Sequence, residues 1–135
     1  YNVLPSLDRA EFAATITDGD VEERFDVVLR NRKGQPVILA DLNPEREPAT
    51  GEMVRDLVTK STTVADRIES IGASFLISAS FFEPGALKSA DESTTDGLLG
   101  RKSPESFVKT GRRRGFHLCL AEARNEAVHL VVPAL

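Results

Sequence analysis

The spacing of apolar positions changes along the chain, and each change marks an element. After Pro5, Ser6 is placed to cap a helix carrying Leu7, Ala10, Ala13, Ala14 and Ile16 at helical spacing, with Asp18-Gly19-Asp20 to end it. The run Phe25-Asp26-Val27-Val28-Leu29-Arg30, the turn set Asn31-Arg32-Lys33-Gly34 and the run Pro36 to Asn43 predict a hairpin. From Thr50 to Ile71 the period lengthens. Met53, Val54, Leu57, Val58, Val64, Ala65, Ile68 and Ile71 form one stripe, and Glu52, Arg55, Asp56, Lys60, Asp66, Arg67 and Glu69 fill the other face. That is an amphipathic helix with Gly72 placed as its C-cap.

The rest of the chain reads as shorter pieces. Ser74 to Phe82 predicts a buried strand, Ala86 to Glu92 a short helix, and Asp91 to Gly100 an exposed loop. Ser103-Pro104-Glu105 has the cap, proline and early acid of a helix start, with an end at Gly111. Phe116 to Ala121 and Ala127 to Val132 predict a second hairpin around Ala123-Arg124-Asn125-Glu126. A long helix between strands implies an α/β sandwich, a mixed β-sheet of about five strands flanked by helices.

Composition narrows the classes. At 135 residues and 41% hydrophobic, the chain suits one domain spanning 1–135 with its own core, and neither a disordered nor a fibrous protein. Its formal charge of −4 excludes a whole-chain basic field for nucleic acid and leaves room for a local basic patch. The single cysteine, Cys119, excludes an internal disulfide framework and a multi-cysteine zinc site. No apolar run suits a membrane helix, so a cytoplasmic location and no membrane partner are expected. The start at Tyr1 instead of Met leads us to expect a domain excised from a longer chain, and the arginine-rich basic set suits a high-GC or salt-adapted source.

The first hairpin carries the candidate chemistry. A turn centred on Lys33-Gly34 sets Asp26 opposite Asp41 on one face of the sheet, with Asn43 two positions further along that face. Neighbouring carboxylates flanked by apolar residues repel unless a positive charge sits between them, and Mg²⁺ or Mn²⁺ with oxygen ligands meets that need. A slip of one residue would separate the two carboxylates. The competing reading is that Asp26 caps a strand and Asp41 opens the loop leading to Pro44.

These residues resemble the core of the PD-(D/E)xK nuclease superfamily, the restriction-endonuclease-like fold. The resemblance lies in Phe25-Asp26-Val27-Val28-Leu29, the turn, and Val37-Ile38-Leu39-Ala40-Asp41-Leu42-Asn43. The predicted order of a leading helix, a hairpin, a long crossover helix and further strands extends it over most of the chain. By that resemblance Asp26 and Asp41 are the metal ligands, the Leu42 carbonyl is a third, and Asp26, Asp41 and Asn43 are the catalytic positions. The implied function is metal-dependent phosphodiester hydrolysis. Asn43 stands where the family has lysine, and a neutral amide supplies no charge beside the attacking water or the phosphate. The resemblance therefore implies a degenerate nuclease-like domain, and Asn43→Lys would restore the family pattern. Arg24, opposite Asn43 in the same register, is the first substitute for the missing charge.

Other candidates are weighed beside it. Lys109, Arg112, Arg113 and Arg114 suit a nucleic-acid backbone, and suit a helix C-terminus better. Glu52 and Asp56 are positioned as outer carboxylates around the metal site, or as solvated residues. His117 and His129 fall on opposite faces of the second hairpin, with His117 facing Val132 and His129 facing Leu120, so no shared metal is expected. Cys119 reads as a small buried hydrophobe and Ser78 and Ser80 as packing residues. The other function class is a non-catalytic module of the same fold, docking another domain of the chain or a homodimer partner.

Overall fold

The computed structural model describes residues 7–99, 116–124 and 127–132. Its order is β1 (Leu7–Asp18), β2 (Val21–Asn31), β3 (Pro36–Asn43), α1 (Gly51–Ala65), β4 (Ala73–Ser78), α2 (Pro84–Leu99), β5 (His117–Arg124) and β6 (Ala127–Val132). The strands form one sheet in chain order, with parallel β3-β4 and β4-β5 pairs and antiparallel pairs elsewhere. The α/β class and mixed sheet expected from the sequence are present, with six strands in place of about five.

The extra strand is the segment expected to be a leading helix. β1 pairs with β2 from Leu7↔Asn31 to Asp18↔Val21. The hairpin turn at Gly19-Asp20 needs the left-handed backbone that Gly19 adopts at φ 64°. Tertiary pairing overrides the alanine-rich helical spacing here, and Thr15, Ile16 and Thr17 suit the pleated surface.

Helix α1 begins where Thr50 accepts a hydrogen bond from the Met53 N–H at 3.3 Å. It ends at Ala65, short of the expected Ile71. Gly72 is not its C-cap: its N–H donates to the Val37 carbonyl and its carbonyl accepts from the His117 N–H, tying together the starts of three strands. β4 stops at Ser78 instead of Phe82. α2 runs from Pro84 to Leu99, so 91–99 is helical where a loop was expected. Its stripe Ala86, Ser89 and Ala90 is buried, and the polar residues after it continue the helix without a glycine before Gly97.

Val54, Leu57, Val58, Val64 and Ala65 of α1 share the core with Val28, Leu39, Leu76 and Leu120 of the sheet and with Ala86 and Ala90 of α2. The second hairpin closes on Arg124↔Ala127 and has a shift between Leu120 and Ala121. His129 therefore faces Glu122, not Leu120, and His117 is paired with Ala73 of β4. The helix expected from Ser103 to Gly111, and the cluster Lys109, Arg112, Arg113 and Arg114, lie outside the described residues.

Candidate functional site

The hairpin register expected from the turn is the observed one near the site. Val27↔Ala40, Val28↔Leu39 and Leu29↔Ile38 are paired, and the next step in that register sets Asp26 beside Asp41. There the backbone ladder gives way to side chains. The Asp26 N–H donates to Asp41 Oδ1 at 3.1 Å, and the Leu42 N–H donates to Asp26 Oδ2 at 2.8 Å. Each carboxylate thus takes an N–H of the other strand, which fixes both in the seam between β2 and β3.

The positive charge between them comes from α1. Lys60 Nζ lies 2.6 Å from Asp41 Oδ2 and 2.6 Å from the Arg24 carbonyl oxygen, and sits 4.7 Å from the centre of the Phe25 ring. Aromatic face, carbonyl and carboxylate together hold the ammonium in a half-buried position. Sequence reading assigned Lys60 to the polar face of the long helix and missed this role. The available signal was the helical stripe Met53, Asp56 and Lys60, which shares a face with one another at three-to-four-residue spacing.

A cleft of about 620 Å³ opens at this point. Glu23, Arg24, Asp26, Asp41, Asp56 and Lys60 supply its charges, and Leu42, Met53 and Leu76 its apolar wall. The structure therefore brings Asp26, Asp41, Arg24 and Asp56 together. Glu52 is exposed and does not line the cleft. Asn43 does not line it either: it is buried, and its Nδ2 donates to Ser78 Oγ at 3.0 Å and to the Glu47 carbonyl at 3.1 Å. Asn43 ties the end of β3 to β4 and to the loop before α1, so its assignment as a catalytic position is corrected. Arg24 is not opposite Asn43, because β2 leaves β3 beyond Val27; its Cα partner is Thr15 of β1.

The donor set can be tested against a divalent cation. Among the described residues no group of three or more His, Cys, Asp and Glu side chains is placed to hold a metal. Two carboxylates remain, with a backbone oxygen beside them. Leu42 turns its N–H toward Asp26, and in an extended strand a residue's carbonyl points the same way as its N–H. Such a hard, oxygen-only, incomplete set fits Mg²⁺ or Mn²⁺, which keep waters and substrate oxygens as their other ligands.

No helix of the described residues is long and apolar enough to cross a membrane. No curated protein matches the chain. Among solved structures it is similar to the YaeQ protein from Xanthomonas axonopodis pv. citri, at 14% identity and a TM-score of 0.29, over 92% of this chain and 63% of that one. The chain thus spans under two thirds of that protein's length. The family comparison reaches further, since one family model matches residues 1–135 in full, and on that match the chain belongs to the DUF7527 family, a domain of unknown function.

Proposed function

We propose that the seam between β2 and β3 is a divalent-cation site for phosphodiester hydrolysis, and that the domain is nuclease-like. The observation that carries this reading is the mutual arrangement of Asp26 and Asp41, each fixed by an N–H of the other strand, with Lys60 on the same carboxylate. Asp26 and Asp41, with the Leu42 carbonyl, would hold Mg²⁺ or Mn²⁺. When bound, the cation would supply an activated water and a Lewis acid for a phosphoryl oxygen. Lys60 takes the part that the PD-(D/E)xK nucleases, which the hairpin resembles, give to their lysine, and which Asn43 cannot play. Its ammonium lies where negative charge on a phosphate oxygen can be stabilised, and it orients Asp41 in the absence of substrate. Nucleic acid is the proposed substrate class, and the cytoplasm the proposed compartment.

The second reading is a non-catalytic module that docks another domain or a twin subunit. Its specific support is that Lys60 already neutralises Asp41, so the three residues stand as a structural clasp without a cation. One experiment separates the two. Thermal melts under Mn²⁺ titration should raise Tm in the unsubstituted chain and leave Asp26→Asn unmoved, since Asn keeps an oxygen for the Leu42 N–H but loses the charge. An unmoved Tm for the unsubstituted chain, with Asp26→Asn more stable than it, sinks the cation site and favours the clasp.

A further inference from the structure

One strand breaks its alternation beside the candidate site. In β1, Leu7 to Ala13 are all exposed, and buried positions alternate with exposed ones only from Ala14 on. In β2, Phe25 and Val28 are both buried, although residues three apart should face opposite ways. The pairs Phe12↔Val27 and Ala14↔Phe25 bracket the break, which leaves Ala13 and Asp26 abreast inside it.

Ala13 has a φ of 51°, and among the described residues no other non-glycine enters the left-handed region. An L-alanine there crowds its Cβ against the carbonyl that follows, so the conformation persists only where its surroundings hold it. The effect appears one strand away. β2 pairs with β3 as far as Val27↔Ala40, and the next N–H, that of Asp26, goes to the Asp41 carboxylate instead of a β3 carbonyl.

We infer that Ala13 is a positioning residue for Asp26. Its left-handed backbone turns β1 and β2 together out of the pleat of β3, which opens the seam and aims the Asp26 carboxylate at the Leu42 N–H. Irregular pairing of this kind re-aims a side chain without changing the fold around it. The inference rests on the proposed role of Asp26 in cation binding, and concerns what aims that side chain.

The Leu42 amide reports the aim directly, because its proton is bonded to Asp26. That bond should protect the Leu42 amide from hydrogen exchange, and Asp26→Ala, which removes the acceptor, should abolish the protection. Ala13→Gly and Ala13→Asn enter the left-handed region more readily, so both should keep the Leu42 protection with an equal or higher Tm. Ala13→Val is β-branched and disfavours that region; it should keep the circular-dichroism spectrum, lose the Leu42 protection and weaken Mn²⁺ binding by roughly tenfold or more. A valine variant with the protection and Mn²⁺ affinity intact overturns the inference. If that variant does not fold, the other two decide: loss of the Leu42 protection in them overturns it equally, and its retention with an unlowered Tm supports it. An unsubstituted chain that binds no Mn²⁺ refutes the proposed function, while the Leu42 amide still decides what Ala13 does.

Discussion

Lys60 Nζ lies 2.6 Å from Asp41 Oδ2, so a helix placed after the hairpin returns to supply an ammonium to the carboxylate seam. The family resemblance expects that charge two residues beyond Asp41 on the same strand. Here it comes from a position nineteen residues further along the chain, and the strand position is occupied by a buried amide. Side chains meet in space, and a helix crossing back over its preceding strand is one way to bring a cation to a strand.

Lys60→Met separates the charge from the packing of the side chain. It should cost about 1–2 kcal/mol, the scale of a hydrogen bond to a charged group. Mn²⁺ affinity by calorimetry should hold or rise, since Asp41 loses a competitor. Any phosphodiesterase activity should fall by about 100-fold. Unchanged activity would remove Lys60 from the proposed chemistry.

Asn43→Lys should not restore activity. Asn43 is buried with Ser78 Oγ and the Glu47 carbonyl as its partners, so a longer ammonium side chain meets desolvation and steric conflict there. A loss of about 3 kcal/mol is expected, measured by urea denaturation. A stable variant with raised activity would show that residue 43 does reach the cleft.

Binding of nucleic acid should require the cation first. Among the described residues, Glu23, Asp26, Asp41 and Asp56 face only Arg24 and Lys60 in the cleft, so these charges without a cation repel a polyanion. A non-cleavable phosphorothioate oligonucleotide should bind in Ca²⁺ and fail to bind in EDTA, read by fluorescence anisotropy. Asp56→Asn together with Glu23→Gln should lessen that dependence. Equal affinity in both buffers would place the binding surface elsewhere.

Cys119 gives a pH signature. Burial pushes its thiol pKa above the ordinary value, because desolvation disfavours the thiolate. The folded state holds a proton that the unfolded state has already released, so the stabilisation is present below the ordinary thiol pKa and is lost as pH rises through the raised value. Denaturant midpoints should therefore drop across that alkaline window, and Cys119→Ser should flatten this part of the profile. Ellman's reagent should react with the native thiol more slowly than with free cysteine at the same pH.

Local chemistry made the first hairpin legible. The turn residues marked the hairpin, but beside the turn Arg30 pairs with Pro36, one residue off the expected register, and an irregularity between Leu29 and Arg30 restores the register that runs through Val27↔Ala40 to Asp26 and Asp41. The amphipathic stripe of α1 was legible for the same reason, being a pattern within one element. The first strand was not. Its burial alternates only from Ala14 on, with Leu7 to Ala13 exposed on both faces, so Leu7–Asp18 carries helix-like spacing and becomes a strand only by pairing with β2. The roles of Asn43 and Lys60 were equally out of reach. Asn43 is turned inward by Ser78, thirty-five residues away, and Lys60 acquires its carboxylate only when α1 packs back across the sheet. The sequence by itself determined the hairpin that carries the two carboxylates and the amphipathic helix that follows it, because those depend on neighbours in the chain. Only the tertiary structure decided the register shift inside that hairpin, the pairing of Lys60 with Asp41 and the bond from the Leu42 N–H to Asp26, because these depend on contacts between elements that no local spacing encodes.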